Sequence, residues 1–180
     1  MEEVSFTMHE MEYGGGEVQG VAFPTMLPLR SENFEEYKKL ANDCFYKMRK
    51  ELDIRPYDGH CFSLAPFEEL SLNTYLLLEG SAIIAAVSIT DTHIENVFVR
   101  PDRQGRGLGR MMTSFALAYM QARDAQNIKL TVAKWNKAAI GLYESMGFKI
   151  TKTSLIKGEN RLIDGQWQFN FVAAEGLHIR

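Results

Sequence analysis

The stretch "RPDRQGRGLGRMM", residues 100–112, sets Gly105, Gly107 and Gly109 at every second position among four arginines. An apolar run, Ile94 to Val99, precedes it. Behind it Leu108, Met111, Met112, Phe115, Tyr119 and Ala122 recur at three- and four-residue steps, which predicts a helix through Ala125. So a strand ends, the chain turns through small residues, and a helix begins. The first N–H groups of that helix have no partner within it, and its dipole favours an anion there. Glycines let the backbone approach such an anion closely, and Arg103, Arg106 and Arg110 can add charge around the rim.

Which anion is decided partly by elimination. A P-loop needs GxxxxGK followed by Ser or Thr, and no lysine or hydroxyl stands at those places. A dinucleotide fingerprint needs GxGxxG, but Arg110 occupies the position of the third glycine after Gly105 and Gly107. The kinase glycine loop fails at the same residue. A phosphate cradle and a plain solvated turn both remain.

The surrounding pattern predicts a mixed α/β domain. Ser31 precedes a helix carrying Phe34, Tyr37, Leu40, Ala41, Cys44, Phe45 and Met48 on one face. A short helix is expected around Phe67 to Leu70. Runs at 74–79, 82–90 and 93–99, separated by Gly80-Ser81 and Asp91-Thr92, read as an antiparallel meander. A strand is expected at 128–132 and a helix from Lys137 to Met146, with Asn136 as its N-cap and Gly147 just past its end. Runs at 149–157 and 166–172 read as closing strands. Residues 1–20 are expected to form a hairpin or a flexible arm, since Gly14-Gly15-Gly16 interrupts the alternation there. Pro24 and Pro28 confine any strand near them to an edge.

Totals narrow the class. At 180 residues the chain fits one domain. A net charge of -3 argues against a general nucleic-acid binder. Two cysteines, Cys44 and Cys61, without a CxxC pair argue against a disulfide framework or a zinc site, and no metal is expected. The longest aliphatic run, Ala82 to Val87, falls far short of the roughly 20 residues of a membrane span. With no signal-peptide pattern at the start, the expected location is cytoplasmic.

Gln104-Gly105-Arg106-Gly107-Leu108-Gly109 resembles the Q/R-x-x-G-x-G/A signature of the GCN5-related N-acetyltransferases. A second stretch, "LTVAKWNKAAIGLYESMGFK" at 130–149, is similar to that family's other signature through Asn136, Ala139, Leu142, Tyr143, Gly147 and Phe148. The resemblance implies a mostly antiparallel sheet of about six or seven strands with about four helices, parted at a coenzyme slot. It implies an acetyltransferase using acetyl-coenzyme A as co-substrate. Gly105 to Gly109 would take the pyrophosphate, and Phe98 and Val99 would pair with the pantetheine arm. Asn136 and Ala139 would line that arm, and a backbone N–H of Phe98 or Val99 would serve the oxyanion. Tyr143 would be the general acid, which also places it against the coenzyme. Glu95 or His93 would be the base. Strand alternation puts both on one face with Val97 and Val99.

The resemblance also makes a homodimer an expectation. The acceptor is expected to be a small-molecule amine or amino acid, with a protein N-terminus or lysine as the alternative, and a coenzyme-binding module without catalysis as a second alternative. Polar candidates for gripping the acceptor are Tyr46, Arg49, Tyr57, Asp58, Glu68 and Glu69.

Overall fold

A computed structural model describes residues 1–18, 22–58 and 67–175. Eight strands form a single sheet. In chain order they are β1 (Glu2–Tyr13), β2 (Leu27–Pro28), β3 (Thr74–Glu79), β4 (Ala82–Thr90), β5 (His93–Val99), β6 (Lys129–Ala133), β7 (Phe148–Ile163) and β8 (Gln166–Glu175). The helices are α1 (Phe34–Glu51), α2 (Phe67–Asn73), α3 (Leu108–Gln121) and α4 (Lys137–Ser145). The spatial order is β2-β3-β4-β5-β6-β1-β7-β8. Every neighbour pair is antiparallel except β5 and β6.

Two apolar layers cover the sheet. Against one face α3 and α4 pack Met112, Leu117, Ile140 and Tyr143 onto Met11, Val87, Leu130 and Phe148. Against the other, α1 and α2 pack Tyr37, Leu40 and Leu70 onto Leu76, Ile83, Ala86 and Phe98. β4 lies in mid-sheet and seven of its nine residues are buried, which explains its unbroken apolar reading. The two-residue β2, with Pro28, sits at the sheet edge as its proline requires.

The N-terminal segment is neither hairpin nor flexible arm. β1 is one twelve-residue strand lying between β6 and β7. Met8 to Glu12 pair with β6, and Glu2 to Tyr13 pair with β7. Met11 is fully buried in the core beneath α3 and α4, with Tyr13 packed against it. Its partner β7 runs sixteen residues, longer than the expected 149–157, because a continuous partner lies alongside. Buried Asn160 of β7 donates to the Asp53 carbonyl (2.7 Å) and accepts from the Arg55 N–H (2.9 Å), fixing the turn after α1 to the sheet.

Met11→Ala removes a fully buried side chain between two strands and should cost about 2–4 kcal/mol in denaturant unfolding; a loose arm would show no loss. His9 in the same strand is 8% exposed, with Nδ1 2.8 Å from Thr153 Oγ1. Burial first, then Lys134 and Lys137, lower its pKa below 6.5. The unfolded chain then takes up a proton that folded His9 resists. The stability this group contributes is complete above pH 6.5 and is lost as pH falls through the lower folded pKa. Unfolding measured from about pH 7.5 to 5.5 should show a steeper loss in the wild type than in His9→Asn.

Candidate functional site

β5 and β6 leave the same edge and diverge. They pair only at His93–Lys129 and Ile94–Leu130. Beyond those two pairs each strand keeps only its outer neighbour, and a gap lies between Glu95–Val99 and Thr131–Ala133.

A bulge sets what lines the gap. Ala86 lies opposite Phe98, but Ser88 lies opposite Glu95, so two β5 residues, Asn96 and Val97, face the single Val87. Asn96 takes the positive φ of 43° that the extra residue demands. The bulge overturns simple alternation. Ile94, Val97 and Val99 join the α3 side, while Phe98 joins the α1 side. His93 and Glu95 flank Ile94 and therefore face α1, away from Val97 and Val99.

Past the bulge the Arg100 N–H donates to the Ile84 carbonyl (2.8 Å). Ladder alternation then commits Phe98 to β4 and turns the Val99 N–H and C=O toward the gap. The Val99 carbonyl there accepts from Gln104 Nε2 (3.0 Å) and Cys44 Sγ (3.4 Å). Burial pushes the Cys44 thiol up to about 12, so it stays a neutral donor.

The glycine loop follows at the mouth of the gap. Gly105 (φ 75°) and Gly107 (φ 79°) are left-handed, and a Cβ at either would meet only open space. Gly107 is the N-cap of α3, which has no side-chain cap and no acidic residue in its first turn. Met111 is the first N–H to bond inside the helix, to Gly107 (3.0 Å). The N–H groups of Leu108, Gly109 and Arg110 are left open, which is an anion cradle. Gly109 has another reason: its Cβ would stand 3.3 Å from Leu142 Cδ2, so it lets α3 lie against α4.

The rim arginines are not equivalent. Arg103 is tied to Glu79 (2.5 Å) and Asp102 (2.9 Å), and Arg100 to Asp102 (2.7 Å). These guanidinium groups hold both carboxyls below their usual range. Arg110 donates to Ser145 Oγ (2.6 Å) at the end of α4. Arg106 makes no hydrogen bond or ion pair among the described residues.

In the core on the α3 side lies Tyr143, 8% exposed and packed at 5.8 Å against the Phe148 ring. Burial pushes its hydroxyl up to about 12, so it keeps its proton at neutral pH. The hydroxyl has no hydrogen-bond partner among the described residues, yet it is absent from the sealed orphan atoms, which are Tyr37 Oη and Ser154 Oγ. It therefore retains some access. Asn136 caps α4 by accepting from the Ala139 N–H (3.1 Å).

On the α1 side, Glu95 is exposed and accepts from Thr90 Oγ1 (2.6 Å). His93 is half-buried, with Nδ1 3.4 Å from Thr92 Oγ1. Lys129, level with His93, pairs with Glu10 (3.1 Å) and Glu12 (3.8 Å). These two carboxylates were not among the sequence candidates. The alternation around Met11 could have marked them as one face of a strand, but nothing local says that the strand lies beside β6.

Of the expected acceptor residues, Arg49 and Tyr57 meet through a side-chain-to-backbone bond. Arg49 is buried, donating to the carbonyls of Tyr57 (2.8 Å) and Asn42 (2.8 Å). The Tyr57 hydroxyl bonds Asp53. Tyr46 is exposed on α1, Asp58 ends the described part of the 51–70 loop, and Glu68 and Glu69 are exposed in the first turn of α2. Residues 59–66, including His60 and Cys61, lie outside the described residues. No group of metal-ligating side chains occurs among the described residues. No helix among them is long and apolar enough to cross a membrane.

The model of the Acetyltransferase (GNAT) family matches residues 29–148, two thirds of the chain. The chain is 40% identical over 65 residues to [Ribosomal protein bS18]-alanine N-acetyltransferase of Salmonella typhimurium, covering 36% of this chain and 44% of that protein. It is 38% identical over 58 residues to mycothiol acetyltransferase of Streptomyces coelicolor, covering 32% of this chain and 19% of that protein. The aligned stretches thus span less than half of each relative. A GNAT-family acetyltransferase structure from Novosphingobium aromaticivorans superposes with a TM-score of 0.61 at 20% identity, covering 84% of this chain and 62% of that one. The chain belongs to the GNAT acetyltransferase family.

Gly105→Ala and Gly107→Ala should each destabilise the chain by about 1 kcal/mol through left-handed strain alone, since neither Cβ meets a neighbour. Urea unfolding of both variants measures it; a cost near zero would remove the backbone reason for these glycines.

Proposed function

We propose that this GNAT-family chain transfers the acetyl group of acetyl-coenzyme A to a primary amine of a small molecule or amino acid. The observation that carries the reading is the gap between β5 and β6, edged by the Val99 N–H and opening onto the bare N-terminus of α3.

The fit of the donor set to the coenzyme rests on chemistry. Open N–H groups at Leu108, Gly109 and Arg110, left-handed Gly105 and Gly107, and uncommitted Arg106 suit a pyrophosphate. Gln104 closes the loop onto Val99, Arg103 braces it through Glu79, and Arg110 ties it to α4. The Val99 N–H edges the gap where the thioester end of the arm would lie, and Phe98 supports this wall from the α1 side. Asn136 and Ala139 frame the start of α4 at the opposite wall. Acetyl-coenzyme A supplies an acetyl group on a thioester.

The chain's own residues supply the rest. The Val99 N–H, not the committed Phe98 N–H, donates to the thioester oxygen as charge develops there. Tyr143, protonated and nearly dry, gives its proton to the departing sulfur. Glu95 or His93, on the other face, removes the proton that keeps an alkylamine from attacking. The amine loses two protons in becoming an amide. One leaves through the base to solvent, and the other restores Tyr143.

A panel of amines, polyamines, amino acids and peptides, assayed by release of coenzyme thiol, tests the function. Turnover should be greatest with a small amine. Turnover only with peptides would favour a protein acetyltransferase, and binding without any release would favour a non-catalytic module. Tyr143→Phe should lower kcat by about 100-fold with little change in coenzyme KM. Unchanged turnover would remove Tyr143 from the chemistry.

A further inference from the structure

We infer that Thr90 is a positioning residue that holds the Glu95 carboxylate in place and thereby selects Glu95, rather than His93, as the group that deprotonates the acceptor amine. This rests on the reading above that the base lies on this strand.

The geometry comes from the β4–β5 hairpin. Thr90 lies opposite His93, and Ser88 lies opposite Glu95. Thr90 and Glu95 are therefore diagonal neighbours, and diagonal pairs on one face are within side-chain reach. Val87 and Ile89 are in the α3-side core, so Thr90 faces α1, as Glu95 does. The resulting bond, Thr90 Oγ1 to Glu95 Oε1, is 2.6 Å.

Each partner is constrained differently. Thr90 is β-branched, so its χ1 is stiff in a strand. The next residue, Asp91, turns at φ 42° and fixes where the strand ends. Glu95 has three soft torsions, is exposed, and directly precedes the bulge residue Asn96. Untethered, its carboxylate would sample many rotamers, with an entropic cost for each productive encounter. Thr90 takes one lone pair of Oε1 and leaves Oε2 available for an amine proton. His93 has a weaker tie, 3.4 Å to the hydroxyl of its own neighbour Thr92. The competing cation is removed as well. Lys129, level with His93, is held by Glu10 and Glu12 on the far side of the gap.

Two measurements test this. The first needs no acceptor: side-chain relaxation NMR of Glu95 in the wild type, T90V and T90S. The Glu95 methylene order parameter should fall in T90V and hold in T90S. Equal order in all three would overturn the proposal. The second is steady-state kinetics with the amine giving most thiol release. T90V should lower kcat about fivefold with coenzyme KM unchanged, and T90S should restore it. In an E95Q background T90V should have no further effect. Equal harm from T90V with and without Glu95, or no harm at all while E95Q is slow, would overturn the role of Thr90. Full turnover by E95Q with loss in a His93→Gln variant would instead overturn Glu95 as base, and the selection by Thr90 with it. Urea midpoints of the variants separate these effects from unfolding.

Discussion

Two neighbouring parallel strands that pair for one rung and then part are the constraint from which the site follows. β5 and β6 do not pair above Ile94 and Leu130, while each keeps its outer partner, β5 with β4 and β6 with β1. Backbone polar groups facing a gap need a partner from elsewhere. For the Val99 carbonyl the chain supplies two of its own, from Gln104 and Cys44. The bulge at Asn96 sets the phase of this arrangement. It turns Glu95 to one face and Val97 and Val99 to the other, so opposite chemical groups address the gap from opposite sides.

The charge distribution follows the same division. At the loop end, glycine backbone and an uncapped helix make a positive mouth, although Arg103 is spent on Glu79 and Asp102. On the α1 face, Lys129 is held by Glu10 and Glu12, and Glu95 is held by Thr90. Tyr143 lies at neither place, and its burial keeps it neutral.

Much of this was legible in the sequence, for physical reasons that differ by region. The helices and the meander were readable because apolar residues recur at helical spacing and because Gly80-Ser81 and Asp91-Thr92 punctuate the strands. The glycine loop was readable because left-handed backbone and close helix approach need glycine in particular places. The location of β1 was not readable, since Met8 to Tyr13 specify a strand but not its neighbours. The bulge was hidden because nothing in "HIENVFV" distinguishes Asn96 as an extra residue, and the assumed alternation therefore placed His93 and Glu95 with the wrong partners. The bonds of Arg49 and Tyr57 that brace the turn after α1 were not readable, since side-chain-to-carbonyl partners leave no local pattern.

On the proposed function, the gap beside Val99 and the N-terminus of α3 form one continuous seat for acetyl-coenzyme A. Amide NMR during a titration with acetyl-coenzyme A tests it most directly. The account predicts concerted shifts of the Val99, Leu108, Gly109 and Arg110 N–H signals, with slower hydrogen exchange at Val99. Saturable binding that leaves the Val99 and Leu108–Arg110 signals unmoved would contradict it.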